Sequence, residues 1–203
     1  MERVNTAVLV SGGGTNLQAL IDAAARGEMP SAHLKLVVSN KPGAYALQRA
    51  ENAGIPHAVI ENGPRFEEEL AALLDENGIE LIVLAGFLRI LSADFINAYQ
   101  GRIINVHPSL IPSFCGKGFY GLRVHKAALE RGVKVTGATV HIVTEEADAG
   151  PILLQKAVEI REGDTPETLQ RRVMEEAEWQ LLPRACELMA AAISNENNER
   201  NGN

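Results

Sequence analysis

Residues 8–20 read VLVSGGGTNLQAL, and their pattern decides the architecture. Three apolar β-branched or leucine residues end in Ser11 and three glycines. From Thr15 or Asn16 the apolar period lengthens, with Leu17, Leu20, Ile21 and Ala24 expected on one helical face. A strand, a tight glycine turn and a helix in that order form the first half of a βαβ unit. Glycines let main-chain N–H groups approach a ligand closely, and a helix start adds unpaired donors with a favourable dipole. The turn therefore suits a phosphate. No Gly-Lys-Ser/Thr follows, so it is not a Walker A loop, and Leu17 stands where a dinucleotide fingerprint needs its third glycine. A phosphate monoester fits better than a dinucleotide; the competing reading is a plain strand-to-helix turn.

Outward from this turn the same alternation repeats. Strand-like runs at 33–39, 57–60, 80–86 and 102–107 are separated by helical segments, two of them closed by Gly54 and Gly78. The runs at 80–86 and 102–107 are continuously apolar, as expected of parallel strands buried on both faces. These features predict an α/β, doubly wound, mostly parallel sheet of Rossmann-like type. In the C-terminal half, a glycine-rich connector (FCGKGFYG, 114–121) and a helix near 122–131 lead to longer strands at 134–146 and 151–160 around a turn at ADAG (147–150). These predict an antiparallel extension of the sheet. Thr165-Pro166 should open a last helix that Pro183 kinks or interrupts, and the polar tail 194–203 is expected to be disordered. One domain over 1–193 is expected, with halves near 1–100 and 101–193.

At 203 residues the chain can bury a large core without metal or disulfides. Cys115 and Cys186 match no ligand or redox spacing and are expected as free thiols. With 19 Lys+Arg against 26 Asp+Glu the net charge is −7, and aromatics make up 4 %, which argues against nucleic-acid binding. Neither a signal peptide nor a membrane span is legible, so a cytoplasmic protein without membrane partners is expected.

The chemistry concentrates at 102–112, RIINVHPSLIP. Asn105 and His107 are spaced i, i+2, so they share one face at the end of a strand, where ligands of open α/β sheets collect. An amide and an imidazole aimed at one point can hold a developing oxyanion, and a protonated imidazole can deliver a proton. Asp148 is either a turn-forming residue or a carboxylate that orients His107 and favours its imidazolium. Residues 84–92, LAGFLRILS, are either core packing or an apolar wall for a flat heterocycle. His125 and His141 are expected to be structural, and no histidine shows a metal-ligand spacing.

Together, VLVSGGGTNLQAL, LAGFLRILS, IINVHPSLIP and GATVHIVTEEADAGPILLQ resemble the phosphoribosylglycinamide formyltransferases, the folate-dependent enzymes of purine synthesis, over nearly the whole chain. The Asn-x-His-Pro-Ser-Leu and Asp elements are shared by the wider formyltransferase superfamily; the glycine loop narrows the resemblance. It implies Asn105, His107 and Asp148 as the catalytic trio. Gly13, Gly14, Thr15 and Asn16 would hold the substrate phosphate, Gly86 would lie by the amine, and Glu178 would touch the ribose. Leu88, Arg89, Ile90, Leu91 and Asn105 would bind the folate, with Arg65 as the nearest candidate for its acidic tail. The resemblance implies 10-formyltetrahydrofolate as co-substrate, glycinamide ribonucleotide as acceptor, no metal, and a monomer or homodimer. The chain departs from the family at Trp179, where a histidine is usual, and in a connector longer than the common one between Pro112 and Gly121. Methionyl-tRNA formyltransferases share the trio but imply a further C-terminal domain, and formyltetrahydrofolate hydrolases a further N-terminal one. A non-catalytic nucleotide-binding module would leave the trio unexplained.

Overall fold

The computed structural model describes residues 3–201. Seven strands form one sheet in the order β3-β2-β1-β4-β5-β6-β7. These are β1 (Val4–Val10), β2 (Ala32–Ser39), β3 (His57–Val59), β4 (Leu81–Leu84), β5 (Ile103–His107), β6 (Val135–Ile142) and β7 (Ile152–Glu159). The first five pair in parallel, and β5–β6 and β6–β7 are antiparallel, as the change of pattern in the C-terminal half predicts.

Strand periodicity sorts the core into two layers. In β1, Val8 and Val10 face one layer while Ala7 and Leu9 face the other; in β4, Leu81 and Val83 oppose Ile82 and Leu84. The first layer is covered by α1 (Thr15–Ala25), α2 (Tyr45–Asn52), α6 (Pro166–Val173) and α7 (Trp179–Asn201), through Leu17, Leu20, Ala46, Leu169, Leu182 and Ala185. The second is covered by α3 (Phe66–Glu76) and α4 (Ala93–Ala98), through Phe66, Leu70, Leu74, Phe95 and Ile96. On α1 it is Ala23, not Ala24, that completes the buried face. A further helix, α5 (Leu122–Arg131), follows the connector after β5.

The C-terminal helix differs from expectation in two ways. It does not end at Pro183: Met174–Glu178 form a π turn, and α7 runs on through the proline to Asn201. The interruption lies upstream, at the π turn. Residues 194–201, expected to be disordered, are helical, and 202–203 lie outside the described residues. Ile193 is buried, Arg102 pairs with Glu196 at 2.8 Å, and Asn197 donates to Glu80 at 2.6 Å. Tertiary anchoring outweighs the polar composition. Among the described residues no helix is long and apolar enough to cross a membrane.

Candidate active site

The carboxyl ends of β1, β4 and β5, adjacent in the sheet, open into a cavity of about 670 Å³. After β1 comes the glycine turn. Gly14 has φ +70°, a left-handed conformation that costs a side-chain-bearing residue about 1–2 kcal/mol. A Cβ there would meet Ala46 Cβ at 2.6 Å, so α2 packs against bare backbone. Arg49 of α2 donates to the Gly13 carbonyl at 2.8 Å and fixes the turn, while Gly12 and Gly13 stay open to the cavity. The first turn of α1 brings Thr15 and Asn16 to the same wall.

Asn16 is tied across the molecule to the π turn. Its Nδ2 donates to Glu178 Oε2 at 2.7 Å, and its buried Oδ1 has no partner among the described residues. Glu178 is itself buried, which pushes its carboxyl up to about 7 despite the Asn16 hydrogen bond. The pair offers acceptor oxygens suited to a hydroxyl-bearing ligand.

Beyond β4 the chain turns at Gly86 (φ +71°) and presents Leu88 and Ile90, 55 % and 74 % exposed, to the cavity. Ser11 ties this segment to the glycine turn, accepting the Leu88 N–H at 2.9 Å and donating to Asn40 at 2.7 Å. Arg89 lines the cavity too, its guanidinium over the Phe66 ring at 4.3 Å and hydrogen-bonded to Asn62. Two residues expected here are elsewhere. Leu91 is buried in the second core layer with Phe95 and Ile96, backing the wall without lining it. Arg65 sits exposed at the start of α3, paired with Glu68 at 3.2 Å, and does not reach the cavity.

The alternation that buries Ile104 and Val106 in one layer turns Asn105 and His107 together to the other side. The β6–β7 loop folds back over that side and brings Asp148 to them, its Oδ2 3.4 Å from His107 Nδ1 and 2.8 Å from the Gly116 N–H. Asp148 takes φ +56°, uncommon outside glycine, to make this approach. Its other oxygen lies 3.5 Å from Nε2 of His141. Burial alone would raise Asp148, but His141, His107 and the Gly116 N–H outweigh it and hold the carboxyl below the ordinary aspartate range. The structure thus joins the three residues that the sequence separates by 43 positions.

His141, expected to be structural, lies beside the trio. The β5–β6 register sets it directly opposite Asn105, so the two share a face, 3.2 Å apart. Its Nδ1 faces the Ile142 carbonyl at 2.9 Å, which requires a proton on Nδ1, while Nε2 lies within reach of both the Asn105 amide and Asp148 Oδ1. Asn105 is thereby oriented, with its second N–H left for the cavity. The signal existed in the sequence only as a strand register. The connector after β5 is pinned by Thr139, which donates to the Ser109 carbonyl at 2.7 Å and accepts the Ile111 N–H at 3.1 Å.

In this doubly wound sheet an amide, an imidazole and a carboxylate stand beside a glycine turn and a helix start, an arrangement suited to group transfer at a carbonyl. Consistent with it, the model of the formyl transferase family matches residues 4–186, and the chain belongs to that family. It is 41 % identical to the phosphoribosylglycinamide formyltransferase of Haemophilus influenzae, covering 87 % of this chain and 82 % of that protein. It is 49 % identical to the trifunctional purine biosynthetic protein adenosine-3 of Gallus gallus over 93 % of this chain, but spans only 19 % of that relative's length. The crystal structure of phosphoribosylglycinamide formyltransferase from Brucella melitensis superimposes with a TM-score of 0.84 at 42 % identity, covering 94 % of this chain and 97 % of that one.

Proposed function

We propose that the chain transfers the formyl group of 10-formyltetrahydrofolate to the primary amine of glycinamide ribonucleotide, a step of purine synthesis. The observation that carries this reading is the convergence of Asn105, His107 and Asp148 on one cavity that also holds the Gly12–Asn16 cradle and Glu178. The phosphate sits at Gly13, Gly14, Thr15 and Asn16, where main-chain donors and a helix start meet. The ribose hydroxyls donate to Glu178 and Asn16 Oδ1, and the amine lies near Gly86. The pterin lies against Leu88 and Ile90, and Arg89 supplies a cation for the acidic tail. The N-terminal half thus contributes the phosphate turn and the pterin wall, and the C-terminal half the catalytic groups and Glu178.

The amine attacks the formyl carbon, and the oxyanion that forms accepts from the free N–H of Asn105 and is stabilised by the charge of protonated His107. Asp148 keeps that imidazolium oriented. A proton leaves the attacking nitrogen and one is delivered to N10 as the C–N10 bond breaks, so the histidine ends as it began. Positioning and exclusion of water account for the rest of the acceleration. The site works with small molecules in a reducing, cytoplasmic setting, in keeping with free Cys115 and Cys186.

The test is to mix the protein with 10-formyltetrahydrofolate, with and without glycinamide ribonucleotide, and follow deformylated folate. Production only with the ribonucleotide supports the reading. Equal production without it would indicate hydrolysis, and none in either case would remove the assignment.

A further inference from the structure

His107 is gripped at both ring nitrogens by groups from different segments. Nδ1 faces Asp148 Oδ2 at 3.4 Å, and Nε2 lies 2.9 Å from the carbonyl oxygen of Phe114. A carbonyl oxygen accepts and never donates, so Nε2 must bear a hydrogen for this contact to form. The other carriers of charge around the ring do not compete for Nε2. His141 of β6 engages Asp148 through the far carboxylate oxygen. His125 of α5 is fully buried with neither ring nitrogen bonded, and burial together with His107 pushes it down to about 4, so it is neutral. The Cys115 thiol is pushed up by burial and by Asp148 and stays protonated.

The segment that supplies the carbonyl is shaped for the task. Phe114 has φ +51° and Gly116 φ +85°, both left-handed. These turns aim the 114 carbonyl at His107 and the 116 N–H at Asp148, so three consecutive residues hold both members of the pair through main chain alone. Phe114 packs edge-on to Phe119 and anchors the turn.

We propose that the Phe114 carbonyl is a positioning group that keeps Nε2 of His107 a permanent donor and makes Nδ1, on the Asp148 side, the nitrogen through which the ring exchanges protons. It builds on the formyl-transfer reading, in which the proton lost by the amine and the proton gained by N10 both pass by Nδ1 while the Nε2 hydrogen stays on Phe114. Mutating Nε2's partner should therefore change the tautomer before it changes substrate affinity.

The test reads the tautomer directly, in ligand-free protein, from two-bond ¹H–¹⁵N spectra of ¹⁵N-histidine-labelled enzyme, with His107 assigned by its loss in His107→Gln. The neutral ring should be the Nε2–H form. In Phe114→Val, whose β-branched residue resists the left-handed conformation, the Nδ1–H form should appear and kcat should fall at least about tenfold with KM within about twofold. Phe114→Gly, free to keep that conformation, should retain the wild-type tautomer. Should Phe114→Val not fold, an ester in place of the 114–115 amide, built with lactic acid at 115 and compared with Cys115→Ala, weakens the same carbonyl and should give the same shift. An Nδ1–H ring in the wild type, or an unchanged Nε2–H ring in both perturbed proteins, overturns the proposal. Because the spectra need no substrate, failure of formyl transfer would leave this result readable by itself.

Discussion

Replacing Gly14 by alanine tests the packing beneath the proposed anion cradle. The added Cβ would stand 2.6 Å from Ala46 Cβ and 2.8 Å from Ala46 Cα, whereas carbon atoms in contact sit about 3.5–4.0 Å apart. Helix α2 must therefore move away from α1, and Arg49 with it. The left-handed φ of +70° adds about 1–2 kcal/mol to the roughly 1–3 kcal/mol of overpacking, for a total of about 2–5 kcal/mol. For a chain of this size each kcal/mol lowers the midpoint by about 2–4 °C, so a loss of roughly 4–20 °C is expected. Urea denaturation should show a lower midpoint with an unchanged slope. Calorimetric titration should show ribonucleotide affinity reduced at least about tenfold while folate affinity holds, since a shifted α1 start misaims the phosphate donors. Gly13→Ala is the control: its Cβ would enter open space, and a change within about 0.5 kcal/mol is expected. If the two variants unfold at the same urea concentration, contact between the turn and α2 is not what holds Gly14 in place.

Asn105→Ala, His107→Ala and Asp148→Ala should each lower kcat by on the order of 10²–10³ while remaining folded, and single-turnover kinetics near wild type would remove that residue from the mechanism. His141→Ala deprives Asn105 of its orienting neighbour and Asp148 of a group that lowers its pKa, so kcat should fall and the acid limb of the kcat/KM profile should move to higher pH. An unmoved limb would show that His141 does not act on the carboxylate. Burial raises Glu178 from 4.5 to about 7, so the folded state keeps a proton that the unfolded chain releases. Its stabilising contribution is complete below pH 4.5 and is lost as pH rises through about 7, by on the order of 3 kcal/mol. Glu178→Gln should remove that slope from stability measured against pH, and retention of the slope would place the titrating group elsewhere.

What the sequence disclosed follows from which signals are local. The change from period 2 to period 3.6 around Gly12–Gly14 is carried by neighbouring residues, so β1, α1 and the parallel sheet were legible, as was the shared face of Asn105 and His107. His141 needed the pairing Asn105↔His141, which is a register between distant strands. The roles of Phe114 and Gly116 belong to main-chain atoms, on which residue identity is nearly silent. Arg65 is near the expected position in sequence, but at the start of α3 it stands in solvent beside Glu68. Leu91 reads like its apolar neighbours, and only the packing of Phe95 and Ile96 shows that it faces the core. Residues 194–201 carry polar composition yet stay helical because Ile193, Glu196 and Asn197 find partners on the body of the protein.

The π turn at Met174–Glu178 amounts to one surplus residue carried inside a continuous rod. Excising a single position there, such as Glu176, would restore ordinary winding while leaving Leu182, Ala185 and Cys186 in their seats against the sheet. The shortened chain would keep its scaffold and lose the inward carboxylate at Glu178.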